Sequence, residues 1–207
     1  MINIQVNKLF LDHPGFKSIN ILRSHHACLL LAFIMLLNLS CDNQNNHMNE
    51  LNKAEPEIIT LSELGDLSKV KNQLNHGVKV DTLDSCQWSP LMKAAQNGHE
   101  DIVRLLILQG ANLEQADKGN YTALLLAASR NHANIVEILI KNGAQLDHQE
   151  DTLGWSALIW ATKLNHVKTV KTLLKNNANK NIKDFKGFTA LDWAKQNKSE
   201  ILIQLLK

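Results

Sequence analysis

The apolar positions of this 207-residue chain follow two different patterns. From residue 58 onward, apolar side chains recur at three- and four-residue spacings within short segments, which is the pattern of amphipathic helices. One such segment carries Ile102, Val103, Leu105 and Leu106. Nearer the N-terminus, residues 27–39 form a nearly unbroken apolar run, which is shorter than the roughly 20 residues of a membrane-spanning helix. These patterns predict a short apolar leader followed by a helical folded part.

The helical segments recur with a period of 33 or 34 residues. A hydroxyl residue precedes a short apolar helix in four copies, and we predict that it caps the first helix of each repeat. We also predict that a glycine or asparagine in the left-handed conformation ends the second helix. The hydroxyl residues are Ser89, Thr122, Ser156 and Thr189, the ending residues are Gly77, Gly110, Gly143 and Asn177, and Asp84, Asp117, Asp151 and Asp184 share the same register.

This periodic arrangement resembles the ankyrin repeat, in which two antiparallel helices follow a β-turn finger. The resemblance implies an all-α solenoid of about five helix-turn-helix repeats over residues 57–207. The repeats would span about 57–84, 85–117, 118–151, 152–184 and 185–207. His99, His132 and His166 match the structural histidine of the family's Gly-His turn, and one histidine per repeat cannot converge on one metal.

The chain departs from the family at the histidine of the Thr-Pro-Leu-His segment. Four other residues replace it, namely Met92, Leu125, Ile159 and Asp192. We therefore expect the hydroxyl-to-imidazole hydrogen bond of the family to be missing in every copy.

Residues 1–41 have a basic start, a short apolar run and Ser40 before Cys41, which resembles a bacterial lipoprotein signal peptide. The resemblance implies that Cys41 is lipidated and becomes the mature N-terminus. An ordinary cleaved signal, an uncleaved anchor and a buried helix of a cytosolic domain are the alternatives. Residues 42–56 are polar and asparagine-rich, which predicts a flexible linker. We expect an exported protein, anchored in the cell membrane by lipid and facing the periplasm or the exterior.

The net charge of +2 is an average over unlike parts of the chain. From Cys41 to Asp117 there are 6 basic and 12 acidic residues, and from Lys118 to Lys207 there are 13 basic and 7 acidic residues. The basic half is either a solvated helix surface or a surface that attracts an acidic partner or anionic lipid.

One set of residues suggests a binding surface. An aromatic residue stands before each hydroxyl, and the resemblance places this position at the fingers on the concave face. A column of aromatics there would form an interface hot spot, although such residues also pack against the next finger. The predicted partner-binding residues are Trp88, Tyr121, Trp155, Phe188, Arg130, Lys163 and Leu164.

The sequence has no phosphate-binding loop, paired-carboxylate signature or nucleophile elbow. We therefore expect no enzyme activity, cofactor or metal, and neither nucleic acid nor a small-molecule substrate as ligand. The prediction is a non-catalytic protein–protein interaction module that protects, supports or inhibits an unnamed partner. The alternatives are a thiol-dependent sensor or enzyme using Cys86, and a toxin-neutralising immunity protein.

Overall fold

The computed structural model describes residues 56–207, and within that range the chain forms ten α-helices in five consecutive pairs. The pairs are α1 (Glu57–Leu64) with α2 (Leu67–Asn75), α3 (Pro90–Asn97) with α4 (Glu100–Leu108), α5 (Ala123–Ser129) with α6 (Ala133–Lys141), α7 (Ala157–Lys163) with α8 (Val167–Lys175), and α9 (Ala190–Gln196) with α10 (Glu200–Leu206). A tight turn joins the helices of a pair, and a longer loop, here called a finger, leads to the next pair.

The helices stack in two layers. The first helices α1, α3, α5, α7 and α9 pack on one another in chain order, and the second helices α2, α4, α6, α8 and α10 form the other layer. Each helix also packs on the other member of its pair. Among the described residues, extended pairing is limited to two isolated bridges in the fingers. The predicted all-α solenoid of five repeats is therefore confirmed.

The predicted helix caps are present. Each hydroxyl oxygen accepts a hydrogen bond from the backbone N–H three residues later, which satisfies one of the free donors at the helix start. The donor–acceptor distances are 3.2 Å at Ser89, 3.5 Å at Thr122, 3.4 Å at Ser156 and 3.3 Å at Thr189. The ends of the second helices also agree with the prediction, because Gly77, Gly110, Gly143 and Asn177 have φ values of 85°, 82°, 97° and 66°.

The three repeated histidines are structural, as predicted, and they connect neighbouring repeats. Each ring nitrogen Nε2 lies within hydrogen-bond distance of a backbone carbonyl oxygen in the preceding repeat. The pairs are His99 with Glu63 at 2.8 Å, His132 with Gln96 at 3.0 Å and His166 with Ser129 at 3.1 Å. The ring of His132 also fills the space beside Gly98, where a Cβ atom would lie 2.6 Å from its Cε1.

The four described copies lack the hydroxyl-to-imidazole hydrogen bond, as expected, and the last repeat replaces it with a hydrogen bond to a carboxylate. Met92, Leu125 and Ile159 are buried apolar side chains that fill the core. Asp192 instead takes the place of the imidazole, because the Thr189 hydroxyl donates a 2.6 Å hydrogen bond to Asp192 Oδ2. The same oxygen accepts the Thr189 backbone N–H at 3.0 Å, which completes a reciprocal capping box.

The leader lies outside the described residues. This applies to the signal segment predicted for residues 1–41, including Cys41, and to residues 42–55 of the predicted linker. Pro56, the last residue of that linker, occupies the N-cap position of α1. In the part of the chain that the structure describes, every helix is too short or too polar to cross a membrane.

Candidate partner-binding surface

A carboxylate holds each finger in a fixed conformation. In three fingers an aspartate Oδ1 accepts hydrogen bonds from the backbone N–H groups two and four residues later, as in an Asx turn. Asp84 bonds Cys86 and Trp88 at 2.8 Å, Asp117 bonds Gly119 and Tyr121 at 2.9 Å, and Asp184 bonds Lys186 and Phe188 at 2.9 Å. These bonds pair backbone N–H groups that regular secondary structure leaves free, so each carboxylate holds its finger in a defined turn.

The third finger uses a different acid from the one that the sequence register indicates. Glu150, which is fully buried, accepts the backbone N–H groups of Thr152, Leu153 and Trp155. Asp151 is exposed and accepts a 3.1 Å bond from the Asn120 side chain. The longer glutamate side chain spans the one extra residue of this finger, so the structural equivalent of the other aspartates is Glu150.

The aromatic residues before the hydroxyls do not form one exposed stripe, and that part of the sequence prediction is wrong. Tyr121 and Trp155 are only 5% and 4% exposed, whereas Trp88 and Phe188 are half-buried. Packing against neighbouring residues, the alternative for these positions, accounts for the buried Tyr121 and Trp155. Trp155 lies 4.6 Å from Trp160 and 5.6 Å from Trp193 between ring centroids, in edge-to-face geometry.

The aromatic ladder consists of Tyr121, Trp160, Trp155, Trp193 and Phe188, in that order of contact. Asp184 joins two adjacent members of the ladder, because its Oδ2 accepts the indole N–H of Trp155 at 3.1 Å and of Trp193 at 2.9 Å. Asp184 is itself 5% exposed. The carboxylate that holds the last finger thus also fastens that finger to two repeats.

Burial and neighbouring carboxylates shape the electrostatics along the fingers. Burial raises the pKa of Asp117, and the nearby carboxylates of Asp84 and Glu150 raise it further, while hydrogen bonds from Tyr121 and Gly119 act in the opposite direction. The pKa of Tyr121 is also raised, first by burial and then by Glu150. Carboxyl groups therefore line the buried side of the fingers.

Accessible cations and apolar groups lie at the ends of α5 and α7 and in the last finger. Arg130, which caps the end of α5, is exposed, while Lys163 and Leu164 at the end of α7 are half-buried. Phe185, in the last finger, is 68% exposed and was outside the predicted binding set. We call the accessible members of the predicted set, together with Phe185 and Lys186, the finger-side surface: Trp88, Arg130, Lys163, Leu164, Phe185, Lys186 and Phe188.

The exposed Phe185 ring is held in place by the preceding finger. Its backbone N–H donates a 3.0 Å hydrogen bond to the Leu153 carbonyl oxygen. The ring lies over Gly154, which has a φ of +71°, and a Cβ atom there would lie 2.5 Å from Phe185 Cδ1. A glycine is needed at this position both for its conformation and for the close approach of the ring.

Two lysines lie over tryptophan rings on this side of the molecule. Lys93 Nζ is 4.7 Å from the Trp88 ring centroid and forms a 3.3 Å ion pair with Glu63. Lys163 Nζ is 3.8 Å from the Trp193 centroid. Both contacts are within the range of cation–π attraction.

Cys86 lies in the first finger and is half-buried. Its backbone N–H belongs to the Asp84 turn. Among the described residues, His, Cys, Asp and Glu side chains do not assemble into a group of three or more that could hold a metal ion.

The stacked helix pairs, the capped first helices and the carboxylate-held fingers define a helical repeat protein that presents a preformed surface. A family model for ankyrin repeats in three copies matches residues 58–150 and 146–207. The chain therefore belongs to the ankyrin-repeat family, whose members are generally non-catalytic protein–protein interaction modules.

Curated relatives are similar over short stretches. The protein named "Ankyrin repeat, SAM and basic leucine zipper domain-containing protein 1" is 44% identical over 48 residues in Carollia perspicillata and in Mus musculus, and 41% identical over 49 residues in Pongo abelii. These matches cover 23–24% of this chain and 10% of each relative. Because so little of each relative is covered, the likeness concerns the repeat itself.

Proposed function

We propose that this chain is a membrane-tethered, non-catalytic module that binds a protein partner through its finger-side surface. Family membership supports binding of a protein. The observation that carries the choice of surface is Phe185, an aromatic ring that remains 68% exposed although a neighbouring finger fixes its position. Exposed aromatic anchors on rigid supports are typical of interface hot spots.

Rigidity of the fingers supports this proposal energetically. Association costs free energy whenever loops and side chains become ordered on binding, and a surface that is already ordered avoids much of this cost. Here Asp184 and Glu150 hold the last two fingers through backbone hydrogen bonds of 2.6–3.1 Å. The apolar side chains of Leu164 and Phe185 lie at the end of α7 and in the last finger of this preformed surface.

A binding experiment tests the choice of surface. Phe185→Ala removes the exposed ring, and Leu108→Ala removes an 81% exposed apolar side chain from the other layer of helices, at the end of α4. Crosslinked capture from the native membrane should recover less partner with Phe185→Ala and unchanged amounts with Leu108→Ala. Equal recovery by both variants, or a loss confined to Leu108→Ala, would show that the partner binds elsewhere.

The tether is a separate part of the proposal and rests on the sequence around Cys41. Two or more acyl chains give stable membrane attachment, whereas a single chain does not. Mass spectrometry of the mature N-terminus should find an acylated Cys41 after removal of residues 1–40. An unmodified chain that starts at another residue would contradict the lipid anchor and leave the binding surface unaffected.

A further inference from the structure

Lys163, the last residue of α7, belongs to the finger-side surface. Its ammonium group lies 3.8 Å from the centre of the Trp193 ring. That ring cannot move easily, because Trp193 is 6% exposed and its indole N–H donates a 2.9 Å hydrogen bond to Asp184. A cation on a fixed aromatic platform has already lost much of the side-chain freedom that binding would cost.

The same lysine is held without a carboxylate. The ion pairs among residues 56–207 do not include Lys163. Burial lowers the pKa of Lys163, and the charge of Lys186 lowers it further. The ammonium is therefore partly withdrawn from water and faces a like charge, a situation that an incoming anion would relieve.

The opposite end of the molecule shows what a completed version of this arrangement contains. Lys93 lies over Trp88 in the same way, at 4.7 Å, and the carboxylate of Glu63 completes the group at 3.3 Å from its Nζ. Lys163 and Trp193 also bring a lysine onto a tryptophan ring, here from two neighbouring repeats. Only the carboxylate is missing from the second site within the described residues.

The surroundings of Lys163 favour an anionic ligand that also carries apolar groups. Lys186 in the last finger is an exposed cation whose charge acts on Lys163, and it is not in an ion pair with another described residue. Asp151 is the exposed acid of the neighbouring finger. Leu164 follows Lys163 directly and is half-buried, and Phe185 supplies an exposed ring.

We propose that Lys163 on its Trp193 platform, together with Lys186, binds a carboxylate side chain from an acidic, partly apolar segment of the protein partner. The inference rests on the proposed function, because it names the chemistry of the partner at the finger-side surface. A protein segment suits the site better than a phosphate-rich polymer or a membrane, because two apolar side chains accompany the cations.

The test uses the full chain and a fluorescein-labelled peptide in which glutamate alternates with leucine. Binding is followed by fluorescence anisotropy at low and moderate salt, and a peptide of alternating glutamine and leucine is the control. Lys163→Gln with Lys186→Gln should weaken glutamate-peptide binding about tenfold. Lys168→Gln with Lys171→Gln, which removes the same charge from exposed positions of α8, should change it less than about twofold.

Three results would overturn the inference. They are equal losses from both pairs of substitutions, equal binding of the glutamate and glutamine peptides, and the absence of glutamate-peptide binding at low salt. Tighter binding to phosphatidylglycerol vesicles or to single-stranded DNA than to the peptide would also overturn it. If partner capture depends on Phe185 but not on Lys163 and Lys186, the proposed function stands and the acidic-segment inference fails.

Discussion

Asp184 is the residue whose replacement tests the structural account most sharply. Its Oδ1 accepts two backbone N–H groups, and its Oδ2 accepts the indole N–H groups of Trp155 and Trp193. In Asp184→Asn, the remaining oxygen can still serve the backbone donors. The amide NH₂ would then face two indole N–H donors at about 3 Å, so that both indole bonds are lost.

The expected cost follows from these two lost bonds. A hydrogen bond to a charged acceptor contributes about 1.5–3 kcal/mol, and a buried donor left without a partner is penalised. The substitution also removes a buried charge, which offsets part of the loss because a carboxylate is costly to desolvate. We expect the free energy of unfolding to fall by about 2–4 kcal/mol. For a domain of this size the melting temperature should fall by about 4–16 °C.

Asp117→Asn is the matched control. Both hydrogen bonds that the structure gives this carboxylate end on Oδ1, so an asparagine can keep them. Because burial raises the pKa of Asp117, replacing the charge by a neutral amide also removes a desolvation cost. We expect a loss below about 1 kcal/mol.

Both variants are measured by urea unfolding at pH 7, followed by circular dichroism and by tryptophan fluorescence. A loss below about 0.5 kcal/mol in Asp184→Asn would refute the reasoning. So would equal losses in the two variants, because the argument depends on the indole bonds that only Asp184 makes.

Three further predictions concern the rest of the repeat. Gly98→Ala should lower the unfolding free energy about 1–3 kcal/mol more than Gly110→Ala. Both glycines have a positive φ, but only at Gly98 would the new Cβ atom lie 2.6 Å from a histidine ring. Equal urea midpoints for the two variants would contradict this prediction. Asp192→Ala should cost about 1 kcal/mol at pH 7. Because hydrogen bonds from the capping threonine lower the pKa of Asp192, this difference should disappear as the pH falls through that lowered pKa, and a constant difference in acid would count against it. Burial lowers the pKa of His132 and His166, so the stability that their neutral rings contribute is complete above about pH 6.5 and declines as the pH falls to their folded pKa values. NMR titration of the ring protons should give midpoints below 6.5 for both, and ordinary midpoints would refute the assignment.

The repeat could be predicted from the sequence because its signals are local. The hydroxyl caps, the left-handed glycines and the histidine turns each depend on a few residues at fixed spacing, and the structure confirms all three. The same local reasoning failed in the finger with the extra residue. Glu150 replaces Asp151 there, since a longer side chain can reach the same backbone groups from one position earlier.

The candidate surface was harder to predict because exposure depends on neighbouring repeats. Tyr121 and Trp155 have the register of a surface column, but Trp160 and Trp193 cover them. The indole bonds to Asp184 join residues 29 and 9 positions apart in the chain, and spacing alone does not reveal them. Arg130 kept its expected place among the accessible residues.

The central claim, binding of a protein at the finger-side surface, is tested most directly by site-specific photo-crosslinking in cells that produce the full chain. A photoreactive amino acid replaces Arg130 on the finger-side surface in one variant and Lys171 on α8 in the other, and both positions are exposed. The account predicts a crosslinked protein partner from position 130 and none from position 171. Crosslinking from position 171 alone, or to the same extent from both positions, would contradict it.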